Sequence, residues 1–524
     1  MSTATGAGGH GAGDGAPGAR EADAGRSWTR PPRRSTLLVL IAAVVAGAGV
    51  RAWQVGGRPS LAWNDTTDFL AGSTAPWLSL DLWAGARPPT TSVVLKALGG
   101  DTEAYVVWQA ALAAVCWAVL AASLATVLAG RARWLAALAV VGLSVTVPVT
   151  MWERSVLSES PAVSLLALVV AAGVQVARGA TGWRSAALLA ALGLWLATRD
   201  SHAVVALVGG GSAVAAAGAS RLLEVHRVRA SVGDGSATGG SAPGDQGTRG
   251  GRGAARRALA GLGLAAVVLG LATMLASSHG ERHAFPLRNV YEVRVLPYPD
   301  RVRWFADHGM PQAEVFTGPD ARPPHVEPGG PPVMYVGDDD AQLGPWLDWV
   351  ETDGRAAFAE FVATHPLYLV AEPLRSPERA FNNAHGDRGF YAPADMPRAP
   401  LVDRVLNVPT AFVLLVAALA GGWAAGRRRW TPVLVVGLAT AGLAVPHGLV
   451  AWHSDGMETA RHLVVPAIQL HLGVLLAVIG VLAPSPTGGD AEGPPRQVRH
   501  TSGKPRSRLG RSRPPSASIT LPVT

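Results

Sequence analysis

The sequence predicts an all-α integral membrane protein, and three observations predict it. Of 524 residues, 49% are hydrophobic and only 16% charged, and the mean hydropathy is positive, a balance too poor in charge for a soluble protein of this size. The apolar residues gather in runs of the length that crosses a bilayer, roughly 17 to 25 residues. The arginines gather between those runs and in the tails, where the positive-inside rule puts them. The net charge of +8 is therefore a topology signal, and no nucleic-acid partner is expected. The single cysteine, Cys116, lies inside an apolar run, which excludes a disulfide framework and a cysteine metal site. All but Lys96 and Lys504 of the 45 basic residues are arginine, the coding bias of a GC-rich bacterial genome.

About ten spans follow from these run lengths. They lie at 36–55, 104–129, 133–151, 160–177, 183–198, 203–220, 257–277, 406–425, 431–452 and 460–482. The fifth and sixth are short and rich in Ala and Gly, and a re-entrant hairpin is the alternative there. Arg26, Arg30, Arg33 and Arg34 precede the first span, Arg131 and Arg133 join the second to the third, Arg178 and Arg184 the fourth to the fifth, and Arg427 to Arg429 the eighth to the ninth. Placing all of them in the cytoplasm puts both termini inside the cytoplasmic membrane. The first span is expected to be retained, because the stretch before it is longer than a signal n-region.

The domain organisation follows the spans. Residues 1–35 are a cytoplasmic tail, 36–220 an N-terminal membrane module with a first outer loop at 56–102, and 221–256 a cytoplasmic linker. Residues 257–482 form a C-terminal membrane module with an outer loop at 278–405, and 483–524 a basic tail. The tails and the linker are rich in Gly, Ser and Pro, too poor in apolar surface to offset ordering entropy, and are expected to be disordered. The first outer loop carries Phe69, Leu70, Trp77, Leu78, Leu80, Leu82 and Trp83, then Val93, Val94, Leu95 and Leu98, which predicts short interfacial helices. The larger loop predicts one interfacial helix from Trp346 through Phe361 to His365-Pro366.

Every cluster of mixed polar and ionisable residues falls on the outer side of this topology: Asn64 to Asp68, Trp152 to Ser160, Thr198 to His202, and His453 to His462. Asp65 and Asp68 stand three apart, so a helical turn brings both carboxylates to one side. Carboxylates there can take a proton from a hydroxyl or hold a divalent cation such as Mg2+ or Mn2+. The alternative is that Asn64 or Asp65 caps a helix while Asp68 is solvated.

Gly85-Ala86-Arg87-Pro88-Pro89-Thr90, followed by an apolar helix and preceded by the Asp-containing loop after the first span, resembles the polytopic GT-C glycosyltransferases. The segments Arg154 to Glu159, Arg199-Asp200 and Glu458 to His462 are similar to the polar ends of spans in that family. The resemblance implies a polyprenyl-phosphate sugar as donor and an extracytoplasmic glycan, lipid or protein as acceptor. It also implies Asp65 as the catalytic carboxylate of the first outer loop, with Asp68 its competitor.

A lipid phosphate at the interface needs cations at that depth, and arginine suits bidentate contact. Arg87, Arg154, Arg199 and Arg461 are placed for this. Arg461 falls in the first turn of the last span, where the helix dipole disfavours a cation unless an anion is near. Glu458 is one candidate for that anion and a lipid phosphate is the other. Snorkelling of Arg199 is the plainer account of that residue. Glu159, Asp200, Glu458 and His462 are supporting polar residues, although placement at a helix start already accounts for Glu159. The histidines show no zinc spacing.

The expected activity is thus sugar transfer outside a bacterial cytoplasmic membrane. A transporter or flippase for a lipid-linked glycan, or a non-catalytic envelope assembly protein, is the alternative. A transporter would carry ionisable residues near mid-span, and the spans are nearly free of them.

Overall fold

The computed structural model describes residues 34–233, 245–280, 282, 284–319, 321, 324–326, 332–333, 336, 341–375, 408–424, 430–454, 456 and 459–483. The expected tails at 1–33 and 484–524, the Gly-rich 234–244 and Glu458 lie outside the described residues.

Helix α1 (Arg34–Val55) leads into three short helices, α2 (Asn64–Thr74), α3 (Leu80–Ala84) and α4 (Pro89–Ala97). Then come α5 (Thr102–Val127), α6 (Ala132–Ser144), α7 (Val147–Thr150), α8 (Glu159–Arg178), α9 (Gly182–Leu196), α10 (His202–Gly233) and α11 (Asp245–His279). Thus α10 and α11 run as helix into the segment expected as a linker. The long segment after α11 holds α12 (Ala284–Arg294), α13 (Pro299–Asp307), α14 (Ala313–Thr317), α15 (Gly344–Thr352), α16 (Gly354–Thr364) and α17 (Tyr368–Arg375). Its two-residue strands His325–Val326 and Pro332–Val333 pair antiparallel. Helices α18 (Val408–Ala424), α19 (Pro432–His453) and α20 (Thr459–Leu482) complete the fold.

The protein is helical and built for a membrane. Among the described residues, six helices are long and apolar enough to cross one: Thr102–Val127, Glu159–Arg178, His202–Leu223, Gly253–His279, Pro432–His453 and Arg461–Leu482. A bent pair, Ala132–Ser144 with Val147–Arg154, angled by 56°, is apolar enough to be a broken span or a re-entrant loop. This broken element stands where one span was expected at 133–151. Pro148 starts the new turn, since proline has no N–H to continue the preceding helix. Of the other expected spans, Gly182–Leu196 is a shorter apolar helix, while Ile41–Val55 is the apolar part of the 22-residue α1 and Val408–Ala424 is flanked on both sides by residues outside those described. The 15 residues of α9 reach only about 22 Å at 1.5 Å per residue. Its C-terminal turn completes the height of α8, because Arg178 and Gly182 adjoin at one end while Arg199 pairs with Glu159 at the other.

α8 and α20 are the most buried candidate spans. α8 packs against α5, α9, α19 and α20, and α20 against α19, α18 and α6. Close approach rests on missing side chains. A Cβ on Gly473 would lie 2.4 Å from the backbone nitrogen of Ala441, and one on Gly437 2.5 Å from that of Ala477, so small residues let the α19 and α20 backbones touch.

The short helices of the first outer loop divide their apolar residues between core and periphery. Phe69, Leu82 and Leu95 are buried, whereas Trp77, Leu78, Leu80 and Trp83 remain exposed. In the long segment after α11 the expected continuous helix breaks at Asp353 into α15 and α16. Its aromatic residues, Tyr291, Phe305, Phe316, Trp346, Trp349, Phe361 and Tyr368, close a hydrophobic core of their own.

Candidate functional site

The ends of five membrane helices meet at one level with the first outer loop: the starts of α8, α10 and α20 and the ends of α11 and α19. Between them lies a cavity of about 300 Å³, lined among others by Asp65, Arg87, Arg199, Asp200, Arg282, Arg355, Arg461 and His462.

Asp65 enters it from the first turn of α2. The helix is capped by Trp63, whose N–H donates to Thr66 Oγ1 at 2.8 Å while the Thr66 hydroxyl donates to the Val156 carbonyl at 3.1 Å. Capping is therefore done by Trp63 and Thr66, which leaves the Asp65 carboxylate for other partners. Oδ1 accepts from Arg87 Nη2 at 2.7 Å, and Oδ2 accepts from Arg461 Nη2. Asp68 is not simply solvated, since it accepts from Arg87 Nε at 2.9 Å and Nη2 at 2.7 Å.

The network continues inward. Arg461 Nε donates to Glu159 Oε1 at 2.5 Å, Arg199 Nη1 lies 3.4 Å from the same oxygen, and Arg199 Nη2 meets His462 Nδ1 at 2.5 Å. Glu159 is fully buried. A buried carboxylate is tolerated when paired and costly when not, so Glu159 acts as the fixed counter-charge that holds Arg461 and Arg199 at the cavity wall. Asp200 pairs with Arg282 at 2.8 Å, whose Nε donates to the Gly85 carbonyl at 2.6 Å.

The structure thus gathers Asp65, Asp68, Arg87, Glu159, Arg199, Asp200, Arg461 and His462. Arg154 lies off the cavity and donates to the Pro59 carbonyl at 3.2 Å, beside the bridge that joins Leu61 to Ser155. Its neighbour Glu153 forms a separate buried pair with Arg51 at 2.9 Å. Two cavity residues escaped the sequence reading, Arg282 and Arg355. Both come from the long segment between α11 and α18, whose sequence gives no sign that it reaches the loop after α1. Arg355 sits in the first turn of α16, which is fixed by the Tyr291 hydroxyl donating to the Gly354 carbonyl at 2.8 Å. Burial holds the Tyr291 phenol far above its usual range, so it stays a donor.

Five guanidinium groups line the cavity, and the four carboxylates Asp65, Asp68, Glu159 and Asp200 pair with all of them except Arg355. Among the described residues, Arg355 forms no ion pair. No family model, curated protein or solved structure matches this chain. The side chains alone therefore indicate what the cavity can do: its arginines are suited to gripping an anion in a bidentate fashion. They fit a divalent cation poorly. Arg87 and Arg461 contact both oxygens of Asp65 and Oδ2 of Asp68, oxygens that Mg2+ or Mn2+ would share with cations, and no group of three or more His, Cys, Asp or Glu gathers among the described residues.

Proposed function

We propose that this chain is a GT-C-like glycosyltransferase of a bacterial cytoplasmic membrane. It moves a sugar from a polyprenyl-phosphate donor to a glycan, lipid or protein acceptor on the extracytoplasmic side. The observation that carries this reading is the arginine-lined cavity where membrane helices end. A polyprenyl tail stays in lipid while its phosphate sits at that level. A phosphodiester bears a negative charge, and Arg355 brings to the cavity a guanidinium that forms no ion pair with another described residue.

Transfer breaks the bond between the anomeric carbon and the phosphate oxygen, and the electron pair leaves with the phosphate. The acceptor oxygen forms the new bond and gives up its proton. The phosphate then carries a second negative charge, and preorganised cations aimed at developing charge are a main source of rate enhancement. Asp65 and Glu159 contribute by fixing Arg87, Arg461 and Arg199 before substrate arrives. The orientation and the ten crossings belong to the same proposal. The orientation is supported by Arg131, Arg133, Arg178 and Arg184, which lie at the ends of α5, α6, α8 and α9 remote from the cavity.

The test is consumption of donor. Purified protein in lipid nanodiscs, given short-chain polyprenyl-phosphate sugars and an envelope extract as acceptor, should release polyprenyl phosphate, and Arg199→Gln should lose most of that release. Release of no polyprenyl phosphate from any such donor, with lipid-linked glycan moved across vesicles instead, would replace transfer by transport.

A further inference from the structure

We propose that Ser201, His447 and Gln469 form a proton relay that opens into the arginine cavity and takes the proton of the acceptor hydroxyl. The assignment of that proton rests on the transfer reading above; the relay itself rests on geometry. Both oxygens of Asp65 already accept charged hydrogen bonds from Arg87 and Arg461, so part of its lone-pair capacity is engaged before an acceptor hydroxyl arrives. A proton acceptor needs a lone pair that faces the cavity.

Gln469 Nε2 donates to the Thr440 carbonyl at 3.2 Å, which turns Oε1 toward His447 Nδ1 at 2.8 Å. An amide oxygen only accepts, so His447 carries its hydrogen on Nδ1 and presents a bare Nε2. That nitrogen stands 3.5 Å from the hydroxyl oxygen of Ser201, and Ser201 lines the cavity beside Arg199 and Asp200. His447 and Gln469 are both buried, so the protein sets the tautomer. The ring of His202, stacked on Trp195 at 3.9 Å, meets His447 edge-on at 5.1 Å and fixes its plane. A contact of 3.5 Å is long, and catalytic hydrogen bonds of this kind tighten when substrate fills the site.

In the step, the acceptor proton passes to Ser201 Oγ as the serine proton moves to His447 Nε2. The electron pair freed on the acceptor oxygen forms the bond to the anomeric carbon, and the pair of the breaking bond goes to the phosphate. The new imidazolium is balanced by the second charge on the leaving phosphate. Ser201 touches substrate, His447 holds the proton, and Gln469 is a positioning residue.

The experiment uses the full chain in nanodiscs with ¹⁵N-labelled histidine, the His447 signals being assigned by their loss in His447→Gln. Wild type should show the neutral Nδ1–H tautomer, Ser201→Ala should shift the Nε2 resonance, and Gln469→Ala should mix the tautomers. With donor and acceptor present, Ser201→Ala and His447→Gln should lower kcat by roughly 10²- to 10⁴-fold with donor KM unchanged, and Ser201→Thr should restore much of it. A proton on Nε2 in wild type, or full kcat in His447→Gln, overturns the relay. Because Ser201 is on the cavity wall, its variants report even if the buried substitution disturbs folding. If wild type consumes no polyprenyl-phosphate sugar yet shows the Nδ1–H tautomer coupled to Ser201, the relay stands and the transfer reading falls.

Discussion

Two guanidinium groups meet one carboxylate at Asp65, and the consequences differ from those at Asp68 only three residues on. The Asp65 side chain is 15% exposed and bridges Arg87 to Arg461, whereas that of Asp68 is 48% exposed and touches Arg87 alone. Charge-assisted hydrogen bonds contribute about 1.5 to 3 kcal/mol, while exposed ion pairs contribute about 0.2 to 1 kcal/mol. Asp65→Asn should therefore raise donor KM and lower kcat, together roughly 10- to 100-fold in kcat/KM, and Asp68→Asn much less, as initial rates will show. Full activity in both would remove the acidic loop from the mechanism. Arg355 separates binding from architecture. It is exposed and forms no ion pair with another described residue, so Arg355→Gln should weaken donor KM by about tenfold or more and leave the thermal unfolding midpoint unchanged. A lower midpoint with normal KM would make it a structural residue of the long segment between α11 and α18.

At the scale of elements, the contact of α19 with α20 sets the position of Arg461, because α20 carries it into the cavity. Gly473→Ala places a methyl group against the α19 backbone and should lower both the unfolding midpoint and transfer activity. Gly442→Ala makes the same change on α19 where the added carbon meets nothing within 4 Å. Alanine exceeds glycine in helix propensity by about 0.8 to 1.0 kcal/mol, so that variant should be neutral or slightly stabilised in a thermal-shift assay. Equal effects in the two variants would show that the glycine contact does not hold the helices together. The break between α15 and α16 was hidden in the sequence for a related reason. Trp346, Trp349, Phe358 and Phe361 are apolar enough to read as one interfacial helix, and only their packing around Tyr291 and Phe305 turns the chain at Asp353.

Across the whole molecule, the polar ends and the arginine-rich ends of the helices lie apart, and this separation makes the orientation testable. Thr67 and Ser454 are exposed at the cavity end, and Thr181 is exposed in the connector beyond Arg178. Single cysteines at Thr67 and Ser454 should react with a membrane-impermeant maleimide added to intact cells, and one at Thr181 only after permeabilisation; the native Cys116 is buried. The reverse pattern would put the cavity in the cytoplasm and overturn the extracytoplasmic reading.

Local composition determined a great deal by itself. Apolar runs mark where helices lie, since each buries its backbone polar groups within its own segment, and the acidic loop and Arg87 were legible as candidate residues, although their pairing with one another was not. Partners far apart in the chain were decided only in three dimensions. Arg461 is matched by Glu159 and Asp65, Asp200 by Arg282, and His447 by Gln469, and no periodicity announces any of these pairs. Hydropathy depends on each residue and its neighbours, whereas charge pairing depends on which helix ends packing brings to the same level. The sequence thus determined the membrane class and the polar segments, and the tertiary structure decided which of their charges face one another across a single cavity.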